Sequence, residues 1–129
     1  MLSFKMLNYF LKGGINILNQ VVLVGRLVRD PQVKETEGKK KVSYITVAIP
    51  RSFKDVNGEY QTDFIDVVLF DLVAENTCEY CKKGSIVGVK GRIQTGMVEK
   101  EGEDKKYYTE IIAEKVTFLS SKKDNEEYD

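Results

Sequence analysis

Residues 63–70 have the sequence DFIDVVLF, a run that is typical of a β-strand. Because strand side chains alternate between two faces, Phe64 and Phe70 lie on the same face, which we call the aromatic face. The opposite face, predicted to be the core side, carries Ile65, Val67 and Leu69. Rings left on the solvent side, near cations of neighbouring strands, would offer stacking planes for nucleobases. The alternative is a strand buried on both faces, with both rings inside the protein.

On either side of this strand the sequence predicts four more strands and one helix. The predicted strands are 20–28, 42–49, 63–70, 85–95 and 107–119, with a helix over 72–83. Gly25 marks a bulge or bend in the first strand, and Gly84 is the predicted helix C-cap. This order fits an all-β OB-fold, a five-stranded Greek-key barrel with one short helix between strands 3 and 4.

Two lysine-rich loops are predicted beside the aromatic face, over 30–41 and 97–106. The OB-fold uses these two connections, together with its middle strands, to hold oligonucleotides or oligosaccharides. The loop lysines are Lys34, Lys39, Lys40, Lys41, Lys100, Lys105 and Lys106. One such cluster alone is more typical of a solvated loop, but the joint placement around exposed rings favours phosphate binding.

The distribution of charge is more informative than its total. The 129 residues include 20 basic and 20 acidic ones, and this length suits a single domain with a real core. The last six residues contain four acids, so the rest has 20 basic and 16 acidic residues and a net charge of +4. We divide the chain into an N-terminal extension (1–18), a domain (19–119) and a short acidic tail (120–129).

Cys78 and Cys81 form a C-x-x-C pair late in the predicted helix. A tetrahedral zinc site is not available within one chain, because there is no histidine and no second cysteine pair. A redox dithiol normally lies at the start of a helix, where the helix terminus lowers a thiol pKa. We therefore predict no metal, no cofactor and no enzymatic activity, and expect Cys81 to be a small core residue.

The N-terminal segment differs from the rest of the chain. It has a short apolar patch around Lys5 and Lys12, too short to span a membrane. The codons for residues 12–14 (KGG) can spell a purine-rich ribosome-binding site, so we hypothesise that the native chain begins at Leu18, read as Met. The alternative is a disordered or loosely helical arm.

Five stretches in colinear order carry a family resemblance. They are 19–27 (NQVVLVGRL), 30–31 (DP), 62–70 (TDFIDVVLF), 74–85 (with AEN, EY and KKGS) and 87–95 (VGVKGRIQT). Together they resemble the DNA-binding domain of the bacterial single-stranded DNA-binding proteins, the SSB family. The resemblance implies a homotetrameric OB-fold that wraps single-stranded DNA without sequence preference and protects it in replication, recombination and repair. It also implies a cytoplasmic, nucleoid-associated protein without catalysis, metal or cofactor.

Carried over by position, the stacking aromatics of the family fall on Phe53, Phe64 and Phe70. For Phe53 the alternative is a loop anchor that packs on the barrel. The candidate contacts to the DNA backbone are Lys34, Arg51, Lys54, Lys90, Arg92, Lys105 and Lys106. Such contacts make binding salt-dependent, with a slope of about −0.7 in log K against log salt per neutralised phosphate.

Two departures from the family concern the binding face. Val98 stands where the family usually carries an aromatic residue, and Gly96 stands where a basic residue is common. One stacking plane and one cation are therefore expected to be lost there. Asp66 lies on the aromatic face, where its carboxylate would repel phosphate unless a cation such as Arg92 pairs with it.

A third departure is the C-terminal tail. The family typically has a long linker and an acidic tip ending in Pro-Phe, which docks onto replication and repair proteins. Here Tyr128 is the only aromatic residue of the tip and Asp129 is last, so we predict against such docking. A tail of this kind would suit a mobile-element version of a bacterial protein.

The rival function for the whole domain is an OB-fold adaptor or RNA-binding module of the primosomal type, since exposed rings do not distinguish DNA from RNA.

Overall fold

Six strands and one helix make up the described part of the chain. The structure, a computed structural model, describes residues 18–120 and, ahead of them, Lys5. In chain order the elements are β1 (Val21–Leu27), β2 (Lys34–Glu35), β3 (Lys41–Lys54), β4 (Tyr60–Phe70), α1 (Asp71–Tyr80), β5 (Ile86–Val98) and β6 (Lys106–Phe118). The rest of the predicted N-terminal extension and the acidic tail beyond Ser120 lie outside the described residues. The hypothesis that the native chain begins at Leu18 concerns the residues before it, nearly all of which lie outside the described residues.

The strands close into a barrel in the order β1-β5-β6-β4-β3-β2. β1 also pairs with β3, with Arg26 opposite Ala48 and Leu27 opposite Val47, and this pairing joins the two sides of the sheet. β4 and β6 run parallel. The prediction of a five-stranded OB barrel with a helix between its third and fourth strands is confirmed. β2 is an addition, a two-residue strand that pairs with the start of β3 inside the predicted loop 30–41.

Gly25 lies where β1 comes close to β3. A Cβ at this position would lie 2.5 Å from the carbonyl oxygen of Ala48 and 2.5 Å from Cγ1 of Val47. Because atoms do not approach that closely, only glycine allows the two strands to meet here. The pairing of β1 with β5 has no register shift, so there is no bulge here, and Gly25 allows the close approach that closes the barrel.

Several predicted boundaries were wrong. β4 begins at Tyr60 rather than at residue 63, and β5 continues past residue 95 to Val98, into the predicted loop 97–106. β3 continues past Pro50 to Lys54, and a register shift between these residues lets the strand pass a position without a backbone N–H. The helix α1 ends at Tyr80 rather than at Lys83. Gly84, the predicted C-cap, instead has a φ of 89° in the turn that leads into β5.

The core lies inside the barrel and is almost entirely aliphatic. Val67 and Leu69 are fully buried there and Ile65 packs against them half-buried, so the core side of residues 63–70 is confirmed. The helix α1 packs on this core through Ala74, and Cys81 is also a member, as predicted. Each fully buried aliphatic side chain of this size contributes about 1.5–3 kcal/mol.

The described residues contain neither a membrane-spanning helix nor a cluster of metal ligands. No helix among them is long and apolar enough to cross a membrane. No group of three or more acidic or cysteine side chains in the same part of the chain is placed to hold a metal ion. Cys78 is half-buried, with its Sγ 3.8 Å from Oγ of Ser43.

Candidate nucleic-acid interface

The aromatic face lies on the outside of the barrel, across β3, β4 and β6. On β4 it consists of Phe64, Asp66, Val68 and Phe70, and β3 places opposite them, in the same order, Ala48, Thr46, Tyr44 and Val42. On the other side of β4, Val68 pairs with Ile112 of β6. Alternation along the strand is therefore as predicted, but the neighbours differ from one end of the face to the other.

Phe64 lies at the open end of the aromatic face. Its side chain is 65% exposed, because the residue opposite is Ala48, which is too small to cover a ring. Phe53 is exposed to the same extent, on the part of β3 beyond Pro50. Neither ring is inside the protein, so both present flat surfaces that unpaired bases can stack on.

Phe70 lies at the closed end of the same face. It is half-buried and packs against Val42, Val68 and Ile112. The Nζ of Lys40 lies 4.7 Å from the centroid of its ring, a cation–π contact. A base reaches this ring only if Lys40 moves aside. Phe64 and Phe70 therefore lie on the same face, but only Phe64 is open to a base.

The turn between β3 and β4 is closed by Asp55. One oxygen of its carboxylate accepts hydrogen bonds from the backbone N–H groups of Asn57 at 2.8 Å and Glu59 at 2.9 Å, and the other accepts one from the side-chain amide of Gln61 at 2.6 Å. These bonds, chiefly the one from Glu59, hold the pKa of Asp55 below its ordinary value. The outer parts of β3 and β4 form a hairpin over residues 50–62, which we call the hairpin arm and which carries Phe53. The closed turn fixes the end of this arm.

Arg51 differs from the other predicted phosphate-binding cations because it already forms an ion pair with a carboxylate. Its Nη2 lies 2.9 Å from Oδ1 of Asp63, and its Nε donates to both carboxylate oxygens at 3.2 Å. These hydrogen bonds raise the pKa of Arg51 and lower the pKa of Asp63. The guanidinium can therefore reach a phosphate only in competition with Asp63.

The other six predicted cations are all exposed: Lys34, Lys54, Lys90, Arg92, Lys105 and Lys106. They come from β2, the end of β3, β5, the loop before β6 and the start of β6. Arg92 borders the aromatic face, because it pairs with Ile112, the residue that pairs with Val68. Lys54 instead turns toward the hairpin arm, with its Nζ 5.7 Å from the ring centroid of Tyr60.

Asp66 has a hydrogen-bond partner, but it is not the expected Arg92. The hydroxyl of Thr46 donates to Oδ1 of Asp66 at 2.7 Å, and Nη1 of Arg29 donates to that hydroxyl at 3.0 Å. Arg92 donates to Oε1 of Gln94 at 2.6 Å instead. The cation near Asp66 is therefore Arg29, which the sequence interpretation missed because it precedes the turn at residues 30–31, outside every predicted strand.

Two exposed tyrosines on the outside of the barrel were also missed. Tyr44 is 55% exposed on β3, and Tyr108 is 43% exposed on β6, where it pairs with Gly96 of β5. Alternation in the second predicted strand puts Tyr44 on the same face as Val42, but only the pairing with β4 shows that this face points outward. Val98, the site of the predicted loss of a ring, is half exposed and pairs with Lys106.

Comparison with known proteins gives a family match over nearly the whole described region. The sequence model of the Single-strand binding protein family matches residues 18–119. Single-stranded DNA-binding protein B of Bacillus subtilis is 45% identical over 106 residues, which are 82% of this chain and 94% of that protein. Single-stranded DNA-binding protein 1 of Staphylococcus aureus (strain Mu50) is 41% identical over 110 residues, 85% of this chain and 70% of that protein.

A solved structure is also similar. It is a deletion mutant of the single-stranded DNA binding protein from Thermus aquaticus, which superposes with a TM-score of 0.67 at 30% sequence identity. The match covers 80% of this chain and 51% of that one, so this chain corresponds to about half the length of the Thermus protein.

Proposed function

We propose that this chain, which belongs to the single-strand binding protein family, coats and protects single-stranded DNA without strong sequence preference. The observation that carries the proposal is the pair of rings, Phe53 and Phe64, left two-thirds exposed on an OB barrel with lysines and arginines around it. Rings stack on the faces of all four bases, and cations bind phosphates that are the same at every nucleotide. Such a surface is suited to any unpaired strand.

The three phenylalanines are expected to contribute unequally. Stacking contributes roughly 1–3 kcal/mol per base, and we expect Phe53 and Phe64 to lie near the lower end because a phenyl ring is small. We keep Phe70 as a contact of smaller effect, since Lys40 lies over its ring. Phosphate contacts come from the six exposed cations named above, with Arg51 contributing when it leaves Asp63.

We also propose that the chain assembles as a homo-oligomer, a tetramer in the simplest case. Val22 and Val24 are 67% and 53% exposed on the outer side of β1, an apolar pair that favours burial against another copy. Sedimentation of Val22→Glu/Val24→Glu should give smaller particles than the wild type. Val56→Glu is the matched control, because Val56 is fully exposed at the hairpin turn. A wild type that sediments as a monomer would contradict the proposal.

As a DNA coat, the protein would act in the cytoplasm, at the nucleoid, in replication, recombination and repair. The proposal does not include docking of partner enzymes, because the acidic tail beyond Ser120 lies outside the described residues. It also differs from the rival adaptor or RNA-binding role, which requires a preference for protein or RNA over DNA.

The test is fluorescence anisotropy with labelled oligo-dT of increasing length, repeated across a salt series. We expect affinity to rise with length and to fall with salt, with a slope of about −0.7 per phosphate contact. Duplex DNA and oligo-U of the same lengths are the controls. Equal affinity for duplex would contradict the proposal, and tighter binding of oligo-U would favour the RNA-binding rival.

A further inference from the structure

A cleft opens on the outer surface of the barrel where β4 and β6 separate. The two strands pair only at Val67–Ile111 and Val68–Ile112, and beyond these pairs the cleft has a volume of about 310 Å³. Among the residues that line it are Arg29, Tyr44, Asp66, Val68, Tyr108 and Glu110. It is continuous with the aromatic face, since Asp66 and Val68 belong to both.

One wall of this cleft is the ring of Tyr108, and its position depends on Gly96. A Cβ at residue 96 would lie 2.2 Å from both Cζ and Oη of Tyr108. The ring therefore occupies the space that any side chain at residue 96 would fill. It rests on the glycine backbone of β5 and is still 43% exposed, so it has surface left for a ligand.

The cleft carries one cation, Arg29, and two carboxylates, those of Asp66 and Glu110. Arg29 already donates to the hydroxyl of Thr46 and to the carbonyl oxygen of Tyr44, whereas the carboxylates have acceptor oxygens left for a ligand. Asp66 uses Oδ1 to accept from Thr46, and within residues 18–120 no protein donor binds its Oδ2 or the carboxylate of Glu110. Two carboxylates disfavour a phosphate in the cleft but suit an amino group. Cytosine carries an exocyclic amino donor on its pairing edge, adenine and guanine also carry amino groups, and thymine has none.

We propose that this cleft holds one nucleobase of the bound strand, in contact with the ring of Tyr108, and favours bases with an exocyclic amino group. The inference rests on the proposed function and deepens it. It adds a stacking position in a region where the loss of an aromatic at residue 98 had predicted none. It also gives a largely sequence-tolerant surface one position with a base preference, set by Asp66 and Glu110.

The first test compares variants of adjacent tyrosines by anisotropy with oligo-dC. Tyr108→Ala should weaken binding by about 5-fold or more, as expected for one lost stacking contact, and Tyr108→Phe should retain the wild-type affinity. Tyr107→Ala is the matched control, because Tyr107 is exposed but points to the opposite side of β6. Equal effects of the two alanine variants would overturn the inference.

The second test uses the glycine. Gly96→Ala should weaken oligo-dC binding in the wild type, because its Cβ displaces the ring, but should change nothing further in Tyr108→Ala. An additive effect of the two substitutions would overturn the assignment of the ring. Thermal melting of each variant shows whether the barrel is intact, and a loss of affinity counts only in variants that melt as the wild type does.

The third test addresses base preference. The wild type should bind oligo-dC more tightly than oligo-dT of equal length, and Asp66→Asn/Glu110→Gln should remove most of that difference. The readout is the ratio of the two affinities, because the loss of two negative charges changes phosphate binding equally for both oligonucleotides. No preference in the wild type, or one that survives both substitutions, would overturn the inference. Binding of oligo-dT that depends on Phe64 but not on Tyr108 would leave the proposed function intact, whereas a protein that binds neither oligonucleotide would contradict both.

Discussion

The two ends of the aromatic face differ although they belong to one strand. Phe64 and Phe70 lie six residues apart on the same side of β4, yet Phe64 is exposed and Phe70 is half-buried. The difference comes from the residues opposite them, Ala48 at one end and Val42 at the other. Periodicity predicts which face a residue occupies, but cross-strand neighbours decide how much of that face is open to a ligand.

The largest effect that separates the two ends is on stability. Phe70→Ala should lower the free energy of unfolding by about 2 kcal/mol, because it removes a ring that packs on three aliphatic side chains. Phe64→Ala should change it by less than about 0.5 kcal/mol, as for an exposed substitution. Urea unfolding of both variants measures this, and equal losses would mean that the two rings are equally packed.

The next effect is on DNA binding, where Phe64→Ala should cost more than Phe70→Ala, the reverse of their order for stability. Phe64→Ala should weaken binding of oligo-dT by about 5- to 10-fold, the effect of one small ring. Phe70→Ala should weaken it less, because Lys40 lies over the ring that is removed. Anisotropy at one salt concentration checks the order. A greater loss for Phe70→Ala, in a variant still folded at the assay temperature, would show that Lys40 moves aside and the closed end binds a base.

A smaller effect is expected at the ion pair of the open end. Asp63→Asn removes the partner of Arg51, so the guanidinium becomes available to a phosphate. Affinity for oligo-dT should rise slightly at low salt, and the salt slope should steepen by up to about 0.7. Arg51→Gln is the matched variant and should not steepen the slope. A fall in affinity for Asp63→Asn would mean that the pair holds the hairpin arm in its binding geometry.

The same ion pair predicts a dependence of stability on pH. The pKa of Asp63 is lowered in the folded protein from an ordinary value of 3.8, so its contribution is fully present above that value. It is lost as the pH falls through the lowered folded pKa. The stability difference between wild type and Asp63→Asn should therefore be constant above about pH 5 and shrink in acid. A difference that grows as the pH falls would contradict the assigned direction.

Most of the fold could be predicted from local patterns. Alternation in residues 63–70 and the order of the strands and helix were enough to predict the barrel. Each strand and the helix could be recognised from a pattern among residues close together in the sequence. The end of β3 was missed because Pro50 normally closes a strand, and only the pairing with β4 shows the register shift that carries it onward. The two-residue β2 has too few residues to produce a pattern.

Less of the candidate site could be predicted. Alternation predicted that Phe64 and Phe70 share a face, but the exposure of Phe64 depends on Ala48 opposite it, and the cover over Phe70 depends on Lys40. Both neighbours are brought close only in the fold. The contact between Gly96 and Tyr108 joins two strands across a long turn, and a glycine in a strand carries no sign of which ring will rest on it. Arg29 likewise becomes part of the face only when β1 closes the barrel.

The proposed function depends on exposed rings that bind unpaired bases, and one double variant tests this directly. Anisotropy should compare Phe53→Ala/Phe64→Ala with the wild type on oligo-dT, with thermal melting to show that both are folded. If each ring contributes about 1 kcal/mol independently, affinity should fall by about 30-fold while the melting temperature stays the same. Unchanged affinity in a folded double variant would contradict the account.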